Sequence, residues 1–391
     1  MANVTVLNTT ANLSGKTIAV AENTHSITGA WTFANHLIFT DATYDIGASG
    51  ATRPRDLYLS RNAVIGGTLA VTGATTLSST LAVTGASTLN GAVTLGDAAG
   101  DAVTITGVLT GTLRGPQLSG MCQGRLTLTT ATPVTTADVT GATTMYFTPY
   151  GGHQIALYDG TDWVLHNFTE ISLALGTLTS GLPYDVFCYS SSGTATLEFL
   201  AWTNGTTRAT ALALQNGVLS KTGALTRRYL GTFYTTSTTA TEDSAAKRFV
   251  WNYYNRVPRP MKVFEATDTW GYDTDTVRQA RASTANQLAV VIGVNEVPVQ
   301  VTLTAIARHS ATGTISVGIG VDSTTATAGT TARAGLTTAT TTVSVHYAGF
   351  PGLGYHFLAW LERGGGATTT FVGDETSADY NQSGLFGWIM G

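Results

Sequence analysis

The sequence predicts an all-β protein in which a thin, intertwined β-repeat shaft precedes β-rich globular domains, the last of them a sandwich or jelly roll. Three observations carry this. Threonine fills nearly one position in five, charged residues make up only 11% of the 391 residues, and one stretch of small and aliphatic residues repeats every six positions. Threonine suits a pleated, half-buried surface and competes poorly inside helices. Charge at less than half the roughly one quarter usual in globular chains argues against charge-driven disorder and against helix-rich families. The length and the 43% hydrophobic content allow two or three domains and at least one sizeable core.

The charge balance narrows the partners. A net charge of −4, with 16 Arg and four Lys, offers no electrostatic footprint for a nucleic-acid backbone or an anionic membrane. Met1 to Leu7 has no basic region followed by an apolar run, and no uncharged apolar stretch approaches the roughly 18 residues of a membrane span. Neither a cleaved signal nor membrane insertion is expected. Cys122 and Cys188 stand 66 residues apart without metal-type spacing and read as small buried hydrophobes, with a disulfide between them as the alternative.

Four segments follow along the chain. Residues 1–44 mix short apolar alternations with polar Asn/Thr stretches and read as an attachment region. Residues 45–119 form the shaft, which opens on a glycine-bearing turn and a short strand with Leu57 and Leu59 in alternation. From Gly66 to Leu95 five hexads succeed one another, each ending in a large aliphatic: Val71, Leu77, Val83, Leu89 and Leu95. Every second hexad adds another at its fourth position: Leu69, Leu81 and Val93. Apolar alternation followed by a small-residue turn reads as strand, turn, strand, turn. Five hexads are too few for a single-chain solenoid, which needs roughly three stacked repeating units. These eight aliphatics are therefore expected to pack against identical chains around a threefold axis, with hairpins on a neighbouring domain as the alternative.

Residues 120–260 form a β-rich middle domain with longer alternating runs, punctuated by Asp159-Gly160, Ser192-Gly193, Asn204-Gly205 and Asn216-Gly217. Asp243 to Tyr254 is the best helix candidate, and Val257-Pro258-Arg259-Pro260 reads as a linker that ends it. Residues 261–391 form the C-terminal domain, with strands expected over 288–294, 297–307, 314–321, 341–347 and 356–361.

The run Asp45-Ile46-Gly47 through Arg53-Pro54-Arg55-Asp56-Leu57-Tyr58-Leu59, leading into the hexads, resembles shaft segments of tailed-bacteriophage fibre proteins. Thr28-Gly29-Ala30-Trp31-Thr32-Phe33 is similar to another segment common in them. The stretches 200–212 and 242–256 look like a β-rich module of phage virion proteins. The resemblance covers about residues 28 to 260. It implies a homotrimeric fibre on the exterior of the virion, bound to other virion proteins through its N-terminus and to a host surface glycan or protein through its C-terminal domain. A tail fibre is the first reading, a capsid-attached head fibre or decoration protein the second, and a polysaccharide depolymerase the third.

Chemistry is thinly signalled. A depolymerase needs two carboxylates about 5 to 10 Å apart, and the closest clusters are Asp273 with Asp275, and Asp374 with Glu375 and Asp379. Both sit in Thr/Gly-rich contexts that suit turns. No Gly-x-Ser-x-Gly elbow is present. On a threefold axis His346 or His356 would supply three imidazoles to one metal. Asp273-Thr274-Asp275 begins like a calcium loop, but Arg278 stands where an EF-hand requires glycine. No catalytic residue, metal or cofactor is therefore assigned. For receptor contact, loop aromatics beside hydrogen-bonding groups are the candidates, because sugar faces stack on rings while hydroxyls take polar partners. These are Trp270, Tyr272 and Asp273, then Tyr380 and Asn381, with Trp388 and Phe386 near the end of the chain.

Overall fold

The computed structural model describes residues 56–95, 103, 113–329, 331–336, 338–365, 368–377 and 381–391. The chain divides into two units, Met1–Ala102 and Val103–Gly391. The expected attachment region, Asp379 and Tyr380 fall outside the described residues.

In the first unit, residues 56–95 are exposed and without strand pairing. The period of six is visible in the backbone. Bends fall at Gly66-Gly67, Gly73, Ser78-Ser79, Gly85 and Gly91, the first or second positions of successive hexads. Between the bends the eight hexad aliphatics stand 49–70% exposed. Leu57 and Leu59, expected on a short strand, lie in backbone outside any strand.

The second unit is all-β, with no α-helix among its described residues and two short 3-10 turns. A three-stranded antiparallel sheet (Gly124–Thr127, Thr144–Pro149, Ile171–Ala174) and the hairpin Gln154–Tyr158 with Trp163–Asn167 begin it. A six-stranded sheet follows, centred on Pro183–Ser191 and Ala224–Tyr234. An eight-stranded sheet is centred on Gln287–Ile292, Gly354–Arg363 and Gly313–Val321. The last sheet has the order Pro258–Phe264, Gly384–Met390, Val299–His309, Thr369–Val372, Thr269–Gly271, with Thr341–Gly349 also paired to Val299–His309. Strands Thr331–Leu336 and Thr341–Gly349 lie against each other, so these two sheets curve into a half-barrel.

Period-two alternation explains the core. Val299, Val301, Leu303 and Ala305 point inward from the last sheet and meet Leu288, Val290, Ile315, Val317, Leu358 and Trp360 of the large sheet in one cluster. Phe187, Tyr229 and Trp251 of the preceding sheet enter the same cluster. A second core gathers Leu126, Met145, Phe147, Ile155, Val186, Leu230 and Phe233. Cys122 and Cys188 are free and buried in it. Burial pushes their thiols up to about 11 and about 12, so neither is a nucleophile at neutral pH.

Turn chemistry is as expected at Asn216-Gly217 and Ser192-Gly193, where both residues have positive φ. At Asp159-Gly160 the aspartate Oδ1 also accepts from the N–H groups of Thr161 and Asp162, each at 2.9 Å. Asn204 instead turns the chain by accepting the Thr206 N–H at 3.0 Å, and Gly205 keeps a negative φ.

Two expectations are corrected. Asp243–Tyr254 is not a helix: Thr241–Asp243, Lys247–Arg248 and Val250–Asn252 are short strands. The reason is two-sided burial. Val250 enters one core and its neighbour Trp251 the other, which a strand permits and a helix does not. The proline-bearing 257–260 segment is not a linker either. Pro258–Phe264 is the edge strand of the last sheet, where missing N–H groups at Pro258 and Pro260 are tolerated.

Candidate functional site

The outer face of the last sheet carries an ordered array of side chains. Its strand register sets Lys262, Phe386, Thr302 and His346 in one cross-strand row, and Pro260, Trp388, Gln300 and Ala348 in the next. Their chain neighbours Met261, Leu385, Val301 and Val345 face the core. Four strands at about 4.8 Å spacing make each row about 14 Å long. Phe386 is 42% exposed, Trp388 is half-buried, and His346 pairs with Thr302 Oγ1 at 3.1 Å. Gly387 lets the strands meet here, because a Cβ would stand 2.0 Å from the Gln300 carbonyl oxygen. The face borders a shallow groove of about 460 Å³ lined by Lys262, Phe264, Thr302, His346, Phe386 and Trp388.

A second depression of about 660 Å³ adjoins it, sharing Pro260, Met261 and Lys262 and adding Thr135, Thr136, Asp138, Arg248 and Arg259. Arg259 donates to the Thr135 carbonyl at 2.8 Å and to Asp243 Oδ2 at 2.6 Å. Arg248 donates to the Pro260 carbonyl at 3.0 Å and to Asp243 Oδ1 at 3.4 Å. Arg125 lies behind them, donating to the Pro133 carbonyl at 3.0 Å. Positive charge is thus concentrated around one buried carboxylate. Burial, with the neighbouring Arg259, pulls Arg125 down to about 10, and the same two causes lower Arg248 against the pull of Asp243. Asp138 at the rim accepts the Ala245 N–H at 2.7 Å.

The structure separates the sequence-predicted contact residues. Trp270 points inward, stacked on Phe371 at 5.7 Å and edge-on to Trp360 at 5.5 Å, with its Nε1–H on Glu362 at 2.7 Å. Tyr272 donates to the Thr276 carbonyl at 2.9 Å under the Arg278 guanidinium, 3.7 Å above its ring. Asp273 accepts the Thr369 N–H at 2.9 Å. Asn381 donates to Glu375 at 2.8 Å. Of the predicted residues that are described, only Trp388 and its companion Phe386 lie on the open sheet face. Lys262, Pro260, Phe264, Gln300 and Thr302 were missed, because only strand pairing brings them to those two rings. The outward alternation of Pro260, Lys262 and Phe264 is the signal that finds them.

Asp275 pairs with Arg363, and Glu375 pairs with Arg308 at 3.3 Å. Glu362 is buried and pushed up by that burial, although it accepts from Trp270, Arg278 and the Arg281 N–H. His356 is buried between Asp322 Oδ2 at 2.7 Å and the Leu353 carbonyl at 3.2 Å. Among the described residues no group of three His, Cys, Asp or Glu side chains is placed to hold a metal ion.

No family model matches the chain, and no curated protein matches it. Solved structures that match include the insecticidal delta-endotoxin Cry8Ea1 from Bacillus thuringiensis, at 7% identity and TM-score 0.21 over 69% of this chain and 52% of that one. The mosquito-larvicidal Cry4Aa toxin from the same organism gives 9% identity and TM-score 0.19 over 71% and 52%. A Cry1Da tryptic core variant, also from Bacillus thuringiensis, gives 10% identity and TM-score 0.13 over 60% and 48%. The chain spans about half the length of these structures. Likeness at such scores carries no argument about this chain.

Proposed function

We propose that the chain is a phage virion fibre protein, a homotrimer on the exterior of the particle, that attaches to the host surface without catalysis. Its N-terminal segment docks on other virion proteins, its hexads form the shaft, and its C-terminal strands, a sandwich-like head, meet a host glycan or protein. The supporting observation is the stripe of eight hexad aliphatics, 49–70% exposed in the single chain. Exposed aliphatics at a fixed period, with small residues at the intervening bends, are stabilised when identical chains cover them. Three identical weak sites on one stalk then bind by avidity, with no chemistry required.

Light scattering in native buffer tests this. The reading expects a mass three times that of the 40.7 kDa chain. A monomer mass would overturn it.

A further inference from the structure

We propose that the outer face of the last sheet, with the cationic depression beside it, binds a uronate-containing polysaccharide, sugar rings lying on Phe386 and Trp388 and a carboxylate meeting Lys262. The inference rests on reading the C-terminal strands as the host-binding end, and it gives that end a site and a ligand class.

Three observations carry it. The first is shape. Phe386 and Trp388 sit two positions apart on one strand, facing the same way, on a sheet wide enough for a short run of sugar rings. Aromatic faces bind the apolar faces of sugar rings, while Gln300, Thr302 and His346 in the same two rows offer hydrogen bonds to hydroxyls. The second is charge. Lys262 is exposed, lines both depressions, and its ammonium makes no hydrogen bond or ion pair among the described residues. Arg248 and Arg259 stand behind it as fixed positive charge, their side chains only 9% and 6% exposed. The third is restraint. These guanidiniums are already occupied by Asp243, the Pro260 carbonyl and Thr135, and Asp138 lies on the rim. One open ammonium beside one aspartate suits the single charge of a carboxylate on a sugar ring. It does not suit a polyphosphate, whose contiguous phosphates call for several open cations.

The test is calorimetric titration of the full-length protein with an alginate hexauronate and with neutral cellohexaose, in low and high salt. Hexauronate is expected to bind more tightly than cellohexaose, and the advantage should shrink in high salt. Lys262→Gln changes an exposed side chain and should weaken hexauronate about fivefold while leaving cellohexaose unchanged. Trp388→Ala should weaken both by about tenfold, and Trp388→Phe should restore most of the loss. Absence of hexauronate binding, equal binding of the two sugars, or indifference to Lys262→Gln would each overturn the proposal. A trimer by light scattering that ignores hexauronate overturns this proposal alone. A monomer overturns the fibre reading instead, and the titration then still decides the sugar site.

Discussion

Replacing Gly293 with alanine probes the junction that ties the middle strands to the core beneath the candidate site. A Cβ there would stand 2.1 Å from Tyr229 Oη, 2.5 Å from Trp251 Cε3 and 2.7 Å from Thr232 Oγ1. None of these atoms is free to retreat. Tyr229 Oη and Thr232 Oγ1 are hydrogen-bonded at 2.7 Å, and Thr232 donates to Asp185 at 2.7 Å. Asp185 is 1% exposed and takes Arg208 Nε at 2.7 Å. Accommodating the methyl displaces Tyr229 and breaks its bond to Thr232. Overpacking of this kind costs about 1–3 kcal/mol, and one buried hydrogen bond adds about 1 kcal/mol. Gly293→Ala should therefore destabilise by about 2–4 kcal/mol. A unit of this size then melts roughly 3–7 °C lower, read by calorimetry on the full-length protein. Tyr229→Phe in the same chain removes the closest atom, so the double variant should lose less than the sum of the singles. A melting temperature within about 1 °C of wild type would refute the reasoning, because a shift that small is worth well under 1 kcal/mol.

Other predictions address the shaft, the thiols and the carboxylates. Leu81→Asn removes an aliphatic from the shaft stripe, worth roughly 1–2 kcal/mol per chain if partners bury it; light scattering on dilution should show earlier dissociation than wild type. Cys122 and Cys188 should resist a thiol reagent at pH 8 in the folded protein and react together once it is denatured. Glu170 is pulled up by burial, but hydrogen bonds from Thr130, Thr148 and the Ala131 N–H outweigh this and hold it below the ordinary carboxylate range. A lowered carboxyl stabilises the fold above its unfolded pKa, and that contribution is lost as pH falls through the folded value. Melting curves below about pH 4.5 should therefore drop less steeply for Glu170→Gln than for wild type.

The strands of the C-terminal region were legible because their alternation is strong: 297–307 was expected and Val299–His309 is observed, 314–321 was expected and Gly313–Val321 is observed. The turn at Asn216-Gly217 was legible for an equally local reason, since two adjacent positive φ angles favour that pair. Asp243–Tyr254 was not legible. Its run of charged, aromatic and β-branched residues looks amphipathic only while the second core that Val250 enters is unseen. The candidate site was half legible. Both terminal aromatics were singled out, but Trp270 looked equivalent to Trp388 until packing set one against Phe371 and the other on the open face.

By itself the sequence determined the all-β class and the spacing of bends in the hexads, because these depend on intrinsic preferences and on periods of two and six along one chain. It also indicated that the hexad aliphatics lack partners nearby in sequence. Tertiary structure alone decided which strands lie side by side, and therefore that Lys262, Phe386, Thr302 and His346, scattered over more than a hundred residues, share one row. Strand pairing is non-local: each register is selected by which face finds a core to enter, and that core exists only once every sheet is in place.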